Sequence, residues 1–225
     1  VGFKSIAIDG PSGAGKSTLA RRLAAHMGYL YVDTGAIYRT LGLAALRRGI
    51  SPEEKDAVVG LLKQIDIDLR YGEDGLQHMY LDGEDVTQEI RRPQVSQAAS
   101  AVSAIADVRA FLMDMQRDLA CRHNVIMDGR DIGTVVLPDA DVKIFLTASA
   151  QARAQRRHRE LLERGEQVEF DTVLADIQAR DKRDTERSAA PLRQAADAVA
   201  VDTTENTLEE SVQRLLDVVK TGVGL

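Results

Sequence analysis

Short apolar runs rich in β-branched residues alternate along this chain with longer stretches of helical periodicity. Ser5–Ile8, Tyr29–Val32, Val125–Met127, Val142–Leu146 and Val199–Val201 read as strands. Between them, Lys16–Met27, Ile37–Arg47, Pro52–Gln64, Pro93–Arg122, Ser149–Arg164, Phe170–Arg187 and Leu208–Val219 read as helices. That alternation predicts an α/β fold on a parallel sheet. One segment departs from it. Ile65–Thr87 carries period-2 stretches with turn residues at Gly72–Gly75 and Asp82–Gly83, so it reads as a small antiparallel hairpin or three-stranded insertion. No internal repeat or disordered linker is visible.

Three of the strands run into a carboxylate: Asp9, Asp33 and Asp128. In open α/β sheets, ligands sit just beyond the carboxyl ends of the strands. The loops that follow these acids are therefore the expected functional edge.

Composition changes the picture little. With 225 residues the chain can bury a sizeable core, and 44% hydrophobic with 28% charged residues is ordinary for a soluble cytoplasmic protein. A net charge of −6 argues against non-specific binding to nucleic acid or membrane surfaces. No apolar run is long enough to span a bilayer, and the first residues read as a strand, not a signal peptide. The single cysteine, Cys121, excludes an internal disulfide and a cysteine-only metal site. Arginine outnumbers lysine, 22 to 7. Its planar fork suits phosphate and carboxylate, but only position can separate that use from codon bias.

The clearest chemistry lies at Gly10-Pro11-Ser12-Gly13-Ala14-Gly15-Lys16-Ser17, followed by Thr18, which fits the GxxxxGK[ST] phosphate loop. Glycines at 10, 13 and 15 let successive backbone N–H groups approach a phosphate. The helix from Lys16 aims its N-terminal dipole at the same anion. Lys16 adds a point charge, and the Ser17 hydroxyl can ligate Mg²⁺. The loop implies a nucleoside triphosphate without naming the reaction. No NKxD-type guanine signature and no motor or helicase sequence accompanies it.

Two further anion sites are candidates. In Asp33–Thr40, Gly35 and the helix after it place Tyr38 and Arg39 about one turn in. Arg39 reads either as the holder of a second phosphate or as an ordinary arginine behind an N-cap. In Ile126–Leu146, the run into Asp128 resembles a Walker B strand, whose acid orients Mg²⁺ directly or through water. Gly129 permits a sharp turn into Arg130 and Asp131. Their place at a strand's carboxyl end favours a site over a surface ion pair.

GPSGAGKST, DTGAIYRT, DGEDVTQEIR, DGRDIGTVVLPDADVKIFL and RDKRDTERSAAPL, in this order and at these intervals, resemble the bacterial cytidylate kinases of the P-loop nucleoside monophosphate kinases. The resemblance covers nearly the full chain. Thr34 stands where that family often has Ser, with the hydroxyl kept.

The resemblance implies a single domain of three layers: a central five-stranded parallel sheet, a small antiparallel β insertion on the monophosphate side and a helical lid. The core would lie at about 1–62, 94–150 and 168–225, the insertion at about 63–93 and the lid at about 151–167. It implies ATP-dependent phosphorylation of CMP or dCMP with Mg²⁺, by a cytoplasmic monomer. Arg39 and Arg130 would hold the CMP phosphate. Thr34, Arg109, Asp131 and Arg187 would surround the cytosine, Ser100, Arg180 and Asp184 would lie against the ribose, and Tyr38 would also contact the CMP. Lys16, Arg39, Asp128 and Arg130 would serve the transfer itself. Of the lid arginines, Arg153 and Arg157 would reach the triphosphate. Taken alone, Arg180, Asp184 and Arg187 read as a surface salt-bridge ladder, since spacings of four and three share one helix face, and only the resemblance raises them above that. His158 reads as a surface residue. The alternatives are a related kinase acting on UMP, dTMP or a non-nucleotide acceptor, or an ATP-binding regulator without transfer.

Overall fold

A computed structural model describes residues 2–224. It divides into two compact units. One runs from the N-terminus through Leu30 and resumes at His123; the other is Tyr31–Arg122.

In the first unit, β1 (Ser5–Asp9) pairs in parallel with β6 (Val125–Gly129) on one side and with β7 (Val142–Thr147) on the other. β7 in turn pairs with β8 (Val199–Asp202), also parallel. The sheet has five strands, in the order β2-β6-β1-β7-β8, and β2 (Leu30–Asp33) is the strand along which the chain passes from the first unit into the second. Ile6, Ile8, Ile126, Met127 and Ile144 are buried side chains of the central strands. Each such burial contributes about 1.5–3 kcal/mol. Helices α1 (Lys16–Met27) and α8 (Leu208–Val223) pack on this sheet and on each other. The start of α8 is fixed by a capping box, Thr207 with Glu210. Helices α6 (Ala150–Glu163) and α7 (Phe170–Glu186) share a small apolar cluster of Ala154, Leu161, Val173 and Ile177.

The second unit contains α2 (Thr34–Arg47), α3 (Lys55–Leu61), the antiparallel sheet β3 (Ile67–Tyr71), β4 (Gln77–Leu81) and β5 (Glu84–Asp85), then α4 (Pro93–Val102) and α5 (Ala106–Arg122). Its core gathers Ile37 and Leu41 of α2 with Met79 of β4, Val102 of α4 and Leu112 of α5.

The predicted insertion is thus a three-stranded sheet. The helix expected over Leu208–Val219 runs on to Val223, and three others differ in ways that local contacts explain. The helix expected from Ile37 begins at Thr34, because the Asp33 carboxylate caps it by accepting from the Ala36 N–H at 2.9 Å. The helix expected from Pro52 begins at Lys55, after a turn closed by Glu54 N–H to Ser51 O. The long helix expected over Pro93–Arg122 breaks at Ser103–Ile105. There the Ser103 hydroxyl donates to Ser100 O at 3.0 Å and competes with the helical ladder. Among the described residues, no helix is long and apolar enough to cross a membrane.

Candidate functional site

The phosphate loop joins β1 to α1. Gly10 sits at φ 154°, and a Cβ there would lie 1.9 Å from the Leu146 carbonyl oxygen, so no other residue fits. Helix α1 starts after Gly15 with no side-chain cap and no acid in its first turn. Its first N–H groups are therefore left to an anion. Lys16 is buried and donates to the Pro11 carbonyl at 2.7 Å. Burial pushes its pKa well below the usual lysine value, and Arg130 and Arg180 push the same way against Asp128 and Asp184.

The β1–β6 register aligns Asp9 with Gly129. The loop beginning at Gly10 and the pair Arg130–Asp131 thus leave the sheet side by side. Ser17 Oγ donates to Asp128 Oδ2 at 3.0 Å, which brings the two predicted Mg²⁺ ligands together.

Beyond β6 the cationic and anionic groups interlock. Arg130 donates to Asp184 at 2.8 Å and to the Gly129 carbonyl at 3.2 Å. Arg187 stands 3.6 Å from Asp131, an ion pair with both side chains more than nine-tenths buried. Burial alone would raise the Asp184 carboxyl. Arg130, Arg180 and Arg187 outweigh burial and hold it below the usual carboxylate range. Asp184 thus reaches across to Arg130 from α7, while Arg180 and Arg187 act on it from its own helix and that helix's end.

Arg153 is committed to protein partners. It bonds both oxygens of Asp181, at 3.0 and 2.6 Å, and donates to Ser12 O and Ala148 O, each at 2.9 Å. It braces the phosphate loop from α6. Asp181, its partner, is not among the expected site residues, although it lies within the RDKRDTERSAAPL motif, three residues before Asp184. Arg157 is partly exposed and pairs with Glu160. Arg156 holds the Thr203 carbonyl. His158 is partly exposed: its Nε2–H donates to Val168 O at 2.9 Å and its ring meets Phe170 edge-on.

The second unit gathers its own candidates. Arg39 donates to the N-cap Asp33 at 2.8 Å, so it is tied to the start of α2. Thr34 and Tyr38 are buried, and the Arg109 guanidinium lies 5.5 Å from the Tyr38 ring centroid. Arg109 also donates to Ser103 O at 3.3 Å, and Ser100 accepts from Ser103 in the same turn.

A family model described as cytidylate kinase matches residues 6–221. The chain belongs to the cytidylate kinase family. A curated cytidylate kinase of Caldicellulosiruptor bescii is 50% identical over 213 residues, covering 95% of this chain and 94% of that protein. One of Carboxydothermus hydrogenoformans is 49% identical, covering 95% and 96%. Among solved structures, a gluconokinase from Sinorhizobium meliloti 1021 superposes with a TM-score of 0.51 at 16% identity, covering 98% of this chain and 94% of that one. That likeness speaks for the fold alone. In this cytidylate kinase family member, the phosphate loop, the Ser17–Asp128 pair and the Arg130–Asp184 and Asp131–Arg187 pairs all lie in the first unit, and Thr34, Tyr38, Arg39, Ser100 and Arg109 in the second.

Proposed function

We propose that the chain transfers the γ-phosphoryl group of ATP to CMP or dCMP, giving ADP and CDP or dCDP. One observation carries the reading: the Asp9–Gly129 register sets the triphosphate loop beside Arg130 and Asp131. Donor and acceptor groups thus start from adjacent strand ends. Family membership agrees with it.

The acceptor is already an anionic phosphate oxygen, so no general base is required. The barrier is the approach of two anions in line, and positioning with charge neutralisation lowers it. Lys16 and the loop N–H groups would hold the triphosphate. Arg130 and Arg39 would hold the acceptor phosphate. Asp131 would accept from the cytosine amino group, and Arg109 and Arg187 would donate to its acceptor edge. Uracil offers a carbonyl where cytosine has the amino group, and a buried polar site left unpaired rejects it. Arg180, Asp184 and Ser100 would face the ribose, and Arg157 remains the lid arginine with a part-exposed head to offer the triphosphate.

Among the described residues, no cluster of three or more His, Cys, Asp or Glu side chains could hold a metal ion. Ser17 and Asp128 offer two hard oxygens, which fits Mg²⁺ that completes its shell with phosphate and water. The ion neutralises charge on the phosphates when bound. The reading includes a cytoplasmic monomer whose partners are ATP and CMP or dCMP.

The test is coupled ADP release with Mg·ATP and CMP, dCMP, UMP, AMP, GMP or dTMP. Release confined to CMP and dCMP is expected. Preference for another acceptor overturns the base site, and ATP binding without acceptor-dependent release overturns the transfer.

A further inference from the structure

The mechanism above leaves a buried carboxylate beside the phosphate loop without a task. Asp9 ends β1, immediately before the phosphate loop, and is 4% exposed. Its two carboxylate oxygens each accept one backbone N–H, from Ile132 at 2.8 Å and from Gly133 at 2.7 Å. These N–H groups open a π-helical turn, Ile132–Val136, that follows directly on Asp131. The turn closes back on Asp131, whose carbonyl accepts from Val135 and Val136 at 2.9 and 3.2 Å. Asp131 is therefore held at its carbonyl by the turn, and the turn is held by Asp9. Turns of this type often occur at functional sites.

We infer that Asp9 is a positioning residue for acceptor selectivity: its two-pronged carboxylate fixes the Ile132–Gly133 backbone and so sets where the Asp131 side chain stands. This rests on the reading that Asp131 meets the acceptor's base. Burial pushes the Asp9 carboxyl up to about 6, and the Asp131 charge adds to that, despite both backbone donors and Lys16. At neutral pH the group is ionised, which is the form that accepts both N–H groups. The two neighbouring donors take one oxygen each, and among side chains of this size only an ionised carboxylate presents two acceptor oxygens.

Asp9→Asn keeps the shape and replaces one acceptor by an NH₂ that faces a backbone N–H. Gly133→Ala disturbs the same clamp from the other side: its added Cβ would lie 3.4 Å from Asp9 Oδ2 and 3.2 Å from Lys143 Cδ. The measurement is kcat and KM for CMP, UMP and ATP in the wild type and in each variant, with a thermal unfolding midpoint for each. At least a fivefold rise in the KM for CMP and at least a fivefold fall in the CMP-to-UMP ratio of kcat/KM are expected, with the KM for ATP within twofold. A ratio preserved while all parameters fall together overturns the inference, because a merely structural role predicts that. Where Asp9→Asn yields no folded protein, Gly133→Ala alone decides by the same ratio. A wild-type enzyme that does not prefer CMP to UMP fails the underlying reading of Asp131 instead, and is distinguished by needing no variant.

Discussion

Two arginine–aspartate pairs of similar spelling behave in opposite ways. Asp118 and Arg122 lie one turn apart on α5, 3.2 Å from each other, with side chains 66% and 72% exposed. Arg130 and Asp184 lie 54 residues apart in sequence, 2.8 Å from each other, with side chains 19% and 7% exposed. The first pair is solvated, and water screens most of its attraction. In the second, three arginines converge on one buried carboxylate and depress its pKa. Residue type does not separate the two. Burial and partners from distant elements do, and these decide which charges can be used on a ligand.

The difference should appear first in catalysis. Lys16→Ala removes the buried ammonium of the phosphate loop and should lower kcat by about 10³-fold or more in coupled ADP release. A near wild-type rate would remove Lys16 from the transfer.

Breaking the buried pair should come next. Asp184→Ala leaves Arg130 without its main partner and should destabilise by about 3 kcal/mol, the lower end of the range for buried pairs because Arg130 keeps some exposure. The check is urea unfolding. The sign with pH follows from the depressed carboxyl. Its contribution is present above the unfolded value, near 3.8, and is lost as pH falls through the lower folded value. The gap between wild type and variant should therefore be full at pH 7 and shrink below about pH 4.

Asp9 should show the opposite pH trend. Its folded pKa, about 6, lies above the unfolded 3.8. The folded state therefore binds more protons between these values, and this group lowers wild-type stability as pH rises through them. In Asp9→Asn that slope should vanish, so the variant gains relative to wild type between pH 4 and 7. Urea midpoints at several pH values would test it.

The exposed pair sets the floor. Arg122→Ala should change stability by less than about 0.5 kcal/mol. A loss comparable to that of Asp184→Ala would erase the contrast.

Much of the fold was legible because local signals agreed. Lys16–Met27 was read to the residue: it follows a glycine-rich loop and ends at Gly28 in the left-handed region. The strands were found from their apolar runs, although β1 and β6 extend to Asp9 and Gly129. What escaped depends on distant partners. Ile-Gly-Thr-Val-Val at 132–136 has no helical periodicity, and its π-helical turn is pinned by an aspartate more than 120 positions away. The phosphate loop, Asp128, Arg130 and Asp131 stand out in the sequence by type and by place at strand ends, whereas Ser100, Arg109, Arg180, Asp184 and Arg187 enter only through the family resemblance. The pairing of the charged groups was not legible: Asp184 meets Arg130, and Arg153 is taken by Asp181, across separations that spacing along one helix cannot encode.

The central claim is that the buried charges beyond β6 read the acceptor's base. Its most direct test is the CMP-to-UMP ratio of kcat/KM in Asp131→Asn, with the KM for ATP measured beside it. The substitution keeps the shape but offers an NH₂ to the uracil carbonyl. The ratio should fall at least tenfold, a change of about 1.4 kcal/mol in discrimination, with the KM for ATP within twofold. An unchanged ratio, or an equal loss toward ATP, would contradict it.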